Sequence, residues 1–142
     1  MTTVHRTIER SIEDVFAVLA DPWTYPDWLV GAKEMRSVDA GWPAPSSSFH
    51  HRVGLAGPLT IADSSTSLAI SAPTMLELEV RARPAGRARV TFHLATLTSN
   101  KTEVAFSEEP LGLTRLLAPL AAVLSIPRNA RSLKHLEQFL QG

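Results

Sequence analysis

Residues 75–95, MLELEVRARPAGRARVTFHLA, alternate charged and apolar side chains on both sides of a Pro-Ala-Gly break. Glu77, Glu79, Arg81 and Arg83 share one face of the first segment, as do Arg87, Arg89, Thr91 and His93 of the second. A period of two is that of a half-buried strand, so the stretch is expected to be a β-hairpin. For both charged rows to face outward, the connection must contain an odd number of residues. Pro84-Ala85-Gly86 supplies them, with Gly86 expected in a left-handed bulge position. Leu76, Leu78, Val80, Val90, Phe92 and Leu94 then point inward together.

The same period continues on both sides. Downstream, residues 101–107, KTEVAFS, turn Thr102, Val104 and Phe106 to one side after a Ser99-Asn100 turn. Upstream, residues 49–55, FHHRVGL, alternate Phe49, His51, Val53 and Leu55 against His50, Arg52 and Gly54. A Gly57-Pro58 break separates them from a strand at 59–70, LTIADSSTSLAI. Residues 32–40, AKEMRSVDA, can form a strand leading into the turn-rich loop GWPAPSSS at 41–48. The chain also begins with alternation, since Val4 and Ile8 share one side of residues 3–9.

The helical period enters at two places. From Ser11, Ile12, Val15, Phe16 and Leu19 recur at helix spacing, with Ser11 and Asp14 resembling a capping box. Asp21-Pro22 ends that helix, because proline disfavours helical backbone in the residue before it. A short helix is expected around residues 26–30. From about Leu113 the chain reads as helix to its end. Leu116, Leu120, Val123 and Leu124, followed by Leu133, Leu136 and Leu140, are expected to form one apolar stripe. Pro119 suits a first turn, whereas Pro127 lies within the pattern and is expected to kink it.

The totals set limits. A chain of 142 residues with 44% hydrophobic and 20% charged residues fits one globular domain, spanning 1–142. Fourteen basic and fourteen acidic residues cancel, so no global field favours nucleic acid or anionic membranes as partners. Cysteine is absent, which removes disulfides, thiolate nucleophiles and cysteine-ligated metals. No apolar run is long enough to cross a bilayer and the first thirty residues lack a secretion-signal pattern, so a cytoplasmic protein without stable membrane insertion is expected.

The order strand, helix, short helix, about six antiparallel strands and long terminal helix resembles the helix-grip fold (Bet v 1/START-like). The carriers are SIEDVFAVLADPWTYPDW at 11–28, FHHRV at 49–53, RARPAGRARVTFHL at 81–94, TEVAFSEEP at 102–110 and the leucine-rich end. On them the chain resembles the START-like (SRPBCC) superfamily, in its polyketide cyclase/dehydratase-like branch of small bacterial proteins. The resemblance implies an α+β fold in which a curved antiparallel sheet wraps around the C-terminal helix. It also implies an apolar cavity between them for a lipid, polyketide or aromatic compound. Fold alone does not fix function, since carriers, enzymes and co-chaperones share this architecture.

Candidate site residues follow from that cavity. Trp23, Tyr25 and Trp28, in DPWTYPDW at 21–28, sit where the family closes one end, with Trp28 expected as plug and Tyr25 as wall. His51 shares its inward phase with Phe49 and Val53. It is either a hydrogen-bonded core histidine or a group that polarises or deprotonates a ligand. Asp63 lies on the phase of Leu59 and Ile61 and can face His51, unless a bulge at residues 63–65 reverses it. Leu78, Phe92, Leu116, Leu120 and Val123 complete the expected lining.

Other polar groups read as surface features. Adjacent strand residues point oppositely, so His50 and His51 make poor metal-chelating geometry, and no metal or cofactor is expected. His93, Glu77 and Glu79 read as cross-strand surface pairs. Glu108-Glu109-Pro110 reads as a solvated strand end or a rim acid. Arg128, Arg131, Lys134 and His135 read as a solvated helix face. Nucleotide-loop, serine-elbow and zinc-protease motifs are absent.

The function expected from this reading is binding or carriage of a small hydrophobic molecule, by a monomer or homodimer. One alternative is a polyketide aromatase/cyclase or dehydratase using His51, with Asp63 or Tyr25, for proton transfer. The other is a co-chaperone-like interaction module, which a filled interior and an exposed apolar patch would favour.

Overall fold

The structure is a computed structural model that describes residues 1–56, 58–84 and 86–142, with the backbone alone described at 55 and 56. Gly57 of the expected break, Ala85 of the expected hairpin connection and the side chain of Leu55 therefore lie outside the described residues. The elements are β1 Thr2–Ile8, α1 Ile12–Leu19, a 3-10 turn Pro22–Thr24, α2 Tyr25–Trp28, β2 Ala32–Val38 and β3 Ser48–Ala56. They continue with β4 Leu59–Ser71, β5 Met75–Ala82, β6 Gly86–Thr98, β7 Lys101–Pro110, a 3-10 helix Gly112–Leu117 and α3 Ala118–Gln141.

The seven strands form one curved antiparallel sheet in the order β1-β7-β6-β5-β4-β3-β2. Consecutive strands from β2 to β7 are neighbours, and β1 closes the far side by pairing with β7. The hairpin that opens the sequence reading pairs Leu76 with Phe92, Leu78 with Val90 and Glu79 with Arg89. Its pairing closes at Ala82 opposite Gly86, so Gly86 begins β6 instead of belonging to the turn. Gly86 has φ +154°, not the left-handed helical value expected, and a Cβ there would stand 2.8 Å from Thr114 Cγ2. Glycine thus lets the end of the sheet approach the 3-10 helix.

Local chemistry explains the helix starts. Ser11 Oγ accepts the Asp14 backbone N–H at 3.2 Å, capping α1. The Asp14 carboxylate turns to Arg10 instead of closing a reciprocal box. Asp21 caps the following turn by accepting from Trp23 N at 3.1 Å. Pro119 lies in the first turn of α3, and the helix remains continuous through Pro127.

The packed core joins α1, the sheet and the second half of α3. Ile8, Val15, Leu19, Val104, Leu133 and Leu136 are all almost fully buried. Burial of each of these six aliphatic side chains contributes roughly 1.5–3 kcal/mol.

The 3-10 helix and the first half of α3 depart from expectation. Leu116, Leu120 and Val123 are 81%, 56% and 68% exposed, so they do not line the interior. For Leu120 the geometric reason is helix phase. At about 100° per residue, the thirteen-residue step from Leu120 to Leu133 ends about 220° away, nearly on the opposite face. One stripe cannot contain both Leu120 and Leu133. The inward face of this half instead carries Ala121 and Ala122, half-buried, and Ser125 and Asn129, buried. These small side chains leave space against the sheet.

Candidate functional site

That space is a cavity of about 360 Å³ between the inner face of the sheet and the first half of α3. Its volume falls within the range of about 300–1,000 Å³ typical of small-molecule sites. The sheet contributes Phe49 and Val53 from β3, Leu78 and Val80 from β5, Val90 and Phe92 from β6, and Phe106 from β7. Tyr25 and Leu29 close one end, Met35 adds to the wall, and Ala121 forms part of the roof. The lining is predominantly apolar because the inward phases of β3, β5, β6 and β7 carry aliphatic or aromatic side chains, while β4 contributes Ser65.

The aromatic cluster divides into plug, wall and surface. Tyr25 and Trp28 are both 1% exposed, with ring centroids 5.4 Å apart in a T-shaped contact. The Tyr25 hydroxyl donates to Leu19 O at 2.6 Å, and its ring packs on Phe49 while facing the cavity. Burial foremost, with the nearby Asp21 charge, pushes its phenol pKa well above the ordinary tyrosine value. The hydroxyl is therefore locked as a donor to the backbone. Trp28 donates Nε1–H to Thr24 Oγ1 at 2.9 Å and packs on Phe92, without lining the cavity.

Trp23 has neither role: it is 56% exposed. The 3-10 turn buries Pro22 and directs the following side chain to solvent. Trp42, expected only as part of a loop, supplies the further aromatic contact. It stacks edge-on to Phe49 at 5.0 Å and donates Nε1–H to Ala20 O at 2.7 Å.

His51 lies 2% exposed on the cavity wall. Its Nε2 bonds Ser65 Oγ at 2.8 Å, while Nδ1 is buried without a hydrogen-bond partner among the described residues. Burial chiefly lowers its pKa to about 4; Asp63 opposes the shift, and Arg36 and Arg81 add to it. The ring is neutral at pH 7.

Asp63 stands directly opposite His51 in the strand register and is buried, with no register shift at residues 63–65. Its carboxylate is nevertheless engaged elsewhere. It accepts from Arg83 N at 2.8 Å, Arg83 Nε at 3.1 Å and Arg83 Nη2 at 2.8 Å. Those bonds, with Arg83 the largest cause, hold its pKa far below the usual carboxylate range despite burial. Asp63 does not line the cavity, whereas Ser65, one inward position further along β4, does. The sequence signal for Ser65 is its phase, since it follows Asp63 by two residues.

A second polar group closes the rim beneath α3. Glu108 accepts from Arg128 Nη2 at 2.6 and 2.7 Å and from Asn129 Nδ2 at 3.1 Å, and all three residues line the cavity. Glu108 is thus a clasp between β7 and α3, and Arg128 is committed to it. On the outer face, His50 points to Asp39 at 3.5 Å, opposite in direction to His51. Glu77, Glu79, Arg87 and Arg89 form the cross-strand ion pairs of the hairpin. Among the described residues, no helix is long and apolar enough to cross a membrane.

No protein-family model and no curated protein sequence matches the chain. Solved structures do match. An aromatase/cyclase from Streptomyces sp. R1128, called Zhui, superposes with a TM-score of 0.78 at 15% identity, covering 99% of this chain and 92% of that one. A START superfamily protein from Mycobacterium smegmatis gives 0.74 at 15% identity, covering 99% and 96%. A protein from Chromobacterium violaceum gives 0.72 at 17% identity, covering 99% and 97%. Likeness of this extent and low identity concerns the course of the backbone. In architecture, the chain has the START-like helix-grip fold, of the kind seen in that aromatase/cyclase and in the START superfamily protein.

Proposed function

We propose that the protein binds and carries a small, mostly apolar molecule in the cavity beneath α3. The observation that carries this reading is the cavity of about 360 Å³ walled by Leu78, Val80, Val90 and Phe92, with His51 on the same wall. Each 100 Å² of apolar ligand surface removed from water contributes roughly 2.5 kcal/mol, less the cost of association.

His51 gives the ligand class a polar feature. Ser65 Oγ accepts the Arg81 backbone N–H at 3.4 Å and lies 2.8 Å from His51 Nε2, and in this reading it donates its own proton to that nitrogen. The imidazole proton then resides on Nδ1, the buried nitrogen without a partner among the described residues. A carbonyl or ether oxygen on an otherwise apolar molecule would satisfy it. A panel of straight-chain ketones, aromatic ketones and matching hydrocarbons, read by thermal shift, tests the reading. Ketones should stabilise more than hydrocarbons, and His51→Phe should remove the difference. No stabilisation by any member at saturation would refute it.

A second reading, proton transfer on a polyketide-type carbonyl substrate, is supported by the fold shared with the aromatase/cyclase and by the buried His51–Ser65 pair. In it His51 acts with Ser65 alone. Asp63 is held by Arg83 and Tyr25 by Leu19 O, which leaves neither carboxylate nor phenol for the chemistry. Loss of poly-β-ketone turnover in both His51→Ala and Ser65→Ala, with ligand binding retained, would favour catalysis over carriage.

A further inference from the structure

The outward face of α3 and the 3-10 helix before it has no use in the cavity. Leu113, Leu116, Leu117, Leu120, Val123 and Leu124 are all more than half exposed, and they succeed one another along a single segment. Six large aliphatic groups in twelve residues form a patch of the kind that marks an interaction site.

The charge around that patch is one-sided. Residues 111–136 contain Arg115, Arg128, Arg131 and Lys134 and no aspartate or glutamate, although the whole chain is neutral. Arg128 is occupied by Glu108, but Arg115, Arg131 and Lys134 form no ion pair among the described residues. Glu137, the next acid, is neutralised by Arg6 at 2.7 Å. Helical spacing carries the outward face from Leu120 and Leu124 through Pro127 to Arg131, Lys134 and Gln138, all exposed. Arg6, Arg131, Lys134 and His135 also border a shallow groove of about 460 Å³. One continuous stripe is therefore aliphatic at its start and basic at its end.

We infer that this stripe docks on the surface of an anionic lipid bilayer, its leucines in the acyl boundary and Arg131 and Lys134 among the headgroups. An amphipathic helix with one apolar and one basic part binds such an interface by both terms together. A second copy of the chain is the poorer occupant. A two-fold interface matches a patch with itself, and residues 111–136 hold no carboxylate, so the partner's patch would offer Arg115, Arg131 and Lys134 no counter-charge. Docking is peripheral, in keeping with the lack of a membrane-crossing helix among the described residues. Thr114 and Ala121, on the inward side of the same segment, line the cavity, so docking brings the cavity roof against lipid.

Vesicle co-sedimentation of the whole protein tests this without reference to any cavity ligand. Phosphatidylcholine vesicles are compared with vesicles of phosphatidylcholine and phosphatidylglycerol. The protein should pellet with the anionic vesicles and only weakly with the neutral ones, and added salt should release it. Arg131→Ala with Lys134→Ala should weaken partitioning roughly 30-fold, from about 1 kcal/mol per cation. Leu120→Asp with Leu124→Asp should abolish it, and since both positions are exposed, a matching melting curve confirms that this variant is folded. Failure to pellet with anionic vesicles, equal pelleting with neutral ones, or binding unchanged in both variants overturns the inference. A dimer that dissociates in Leu120→Asp/Leu124→Asp, with no vesicle binding, assigns the patch to a second copy instead. Ligand uptake that persists when vesicle binding fails leaves the carriage reading standing.

Discussion

His51 and Asp63 face each other across β3 and β4 in register, yet their side chains form no hydrogen bond with each other. The imidazole bonds Ser65 and the carboxylate bonds Arg83, so the pair that a catalytic reading would join is split by geometry. The consequence is a neutral histidine beside an ionised, fully engaged carboxylate.

The two groups act on stability in different pH ranges. His51 has a folded-state pKa of about 4 against an ordinary value of 6.5 in the unfolded chain, so the unfolded chain takes up the proton first as pH falls. Its effect is absent above about pH 6.5, and stability declines between about 6.5 and 4, by up to roughly 3 kcal/mol. Urea unfolding at intervals across that range should show the slope in the wild type and lose it in His51→Phe.

Asp63 operates lower. Its folded pKa is depressed, so its contribution is full above the ordinary carboxylate value and is lost as pH falls further. At pH 7, Asp63→Ala should cost roughly 2 kcal/mol by removing charge-assisted hydrogen bonds at a buried site. Arg83→Ala should also destabilise by leaving the carboxylate with fewer donors. A double-mutant cycle on the two should show strong non-additivity.

The two halves of α3 should respond oppositely to truncation. Leu136 is fully buried and Leu136→Ala should cost about 2–5 kcal/mol. Leu120→Ala, on the exposed half, should change stability by no more than about 0.5 kcal/mol. Equilibrium unfolding of both variants checks the division.

Gly86 tests how closely sheet and helix approach. Gly86→Ala places a methyl 2.8 Å from Thr114 Cγ2 at a positive φ, and should destabilise by about 1–3 kcal/mol. Thr114→Ser removes the clashing methyl and should recover part of that loss but not the backbone strain. Melting temperatures of the single and double variants give the partition.

The sheet was legible because it obeys one rule: inward residues recur every second position, from Phe49 through Leu78 and Val90 to Phe106. The first helix and its Ser11 cap were equally readable from spacing. The roof of the cavity was not. A count of leucines suggested a stripe, but helix phase sets Leu120 against Leu133, and the residues facing inward are alanine, serine and asparagine. Small residues give no periodic hydrophobic signal. Trp23 failed for a related reason, because proximity to Tyr25 in sequence says nothing about side-chain direction within a 3-10 turn. The Arg83–Asp63 bonds join positions twenty residues apart, and only the hairpin's placement beside β4 brings them together.

Backbone amide chemical-shift mapping during titration with a straight-chain methyl ketone tests the internal site most directly. Saturable shifts at Val80, Val90, Ala121 and the strand around His51 are the predicted result. Shifts confined to the exposed leucines of α3, or no saturable shifts at all, would contradict an interior that accepts a guest.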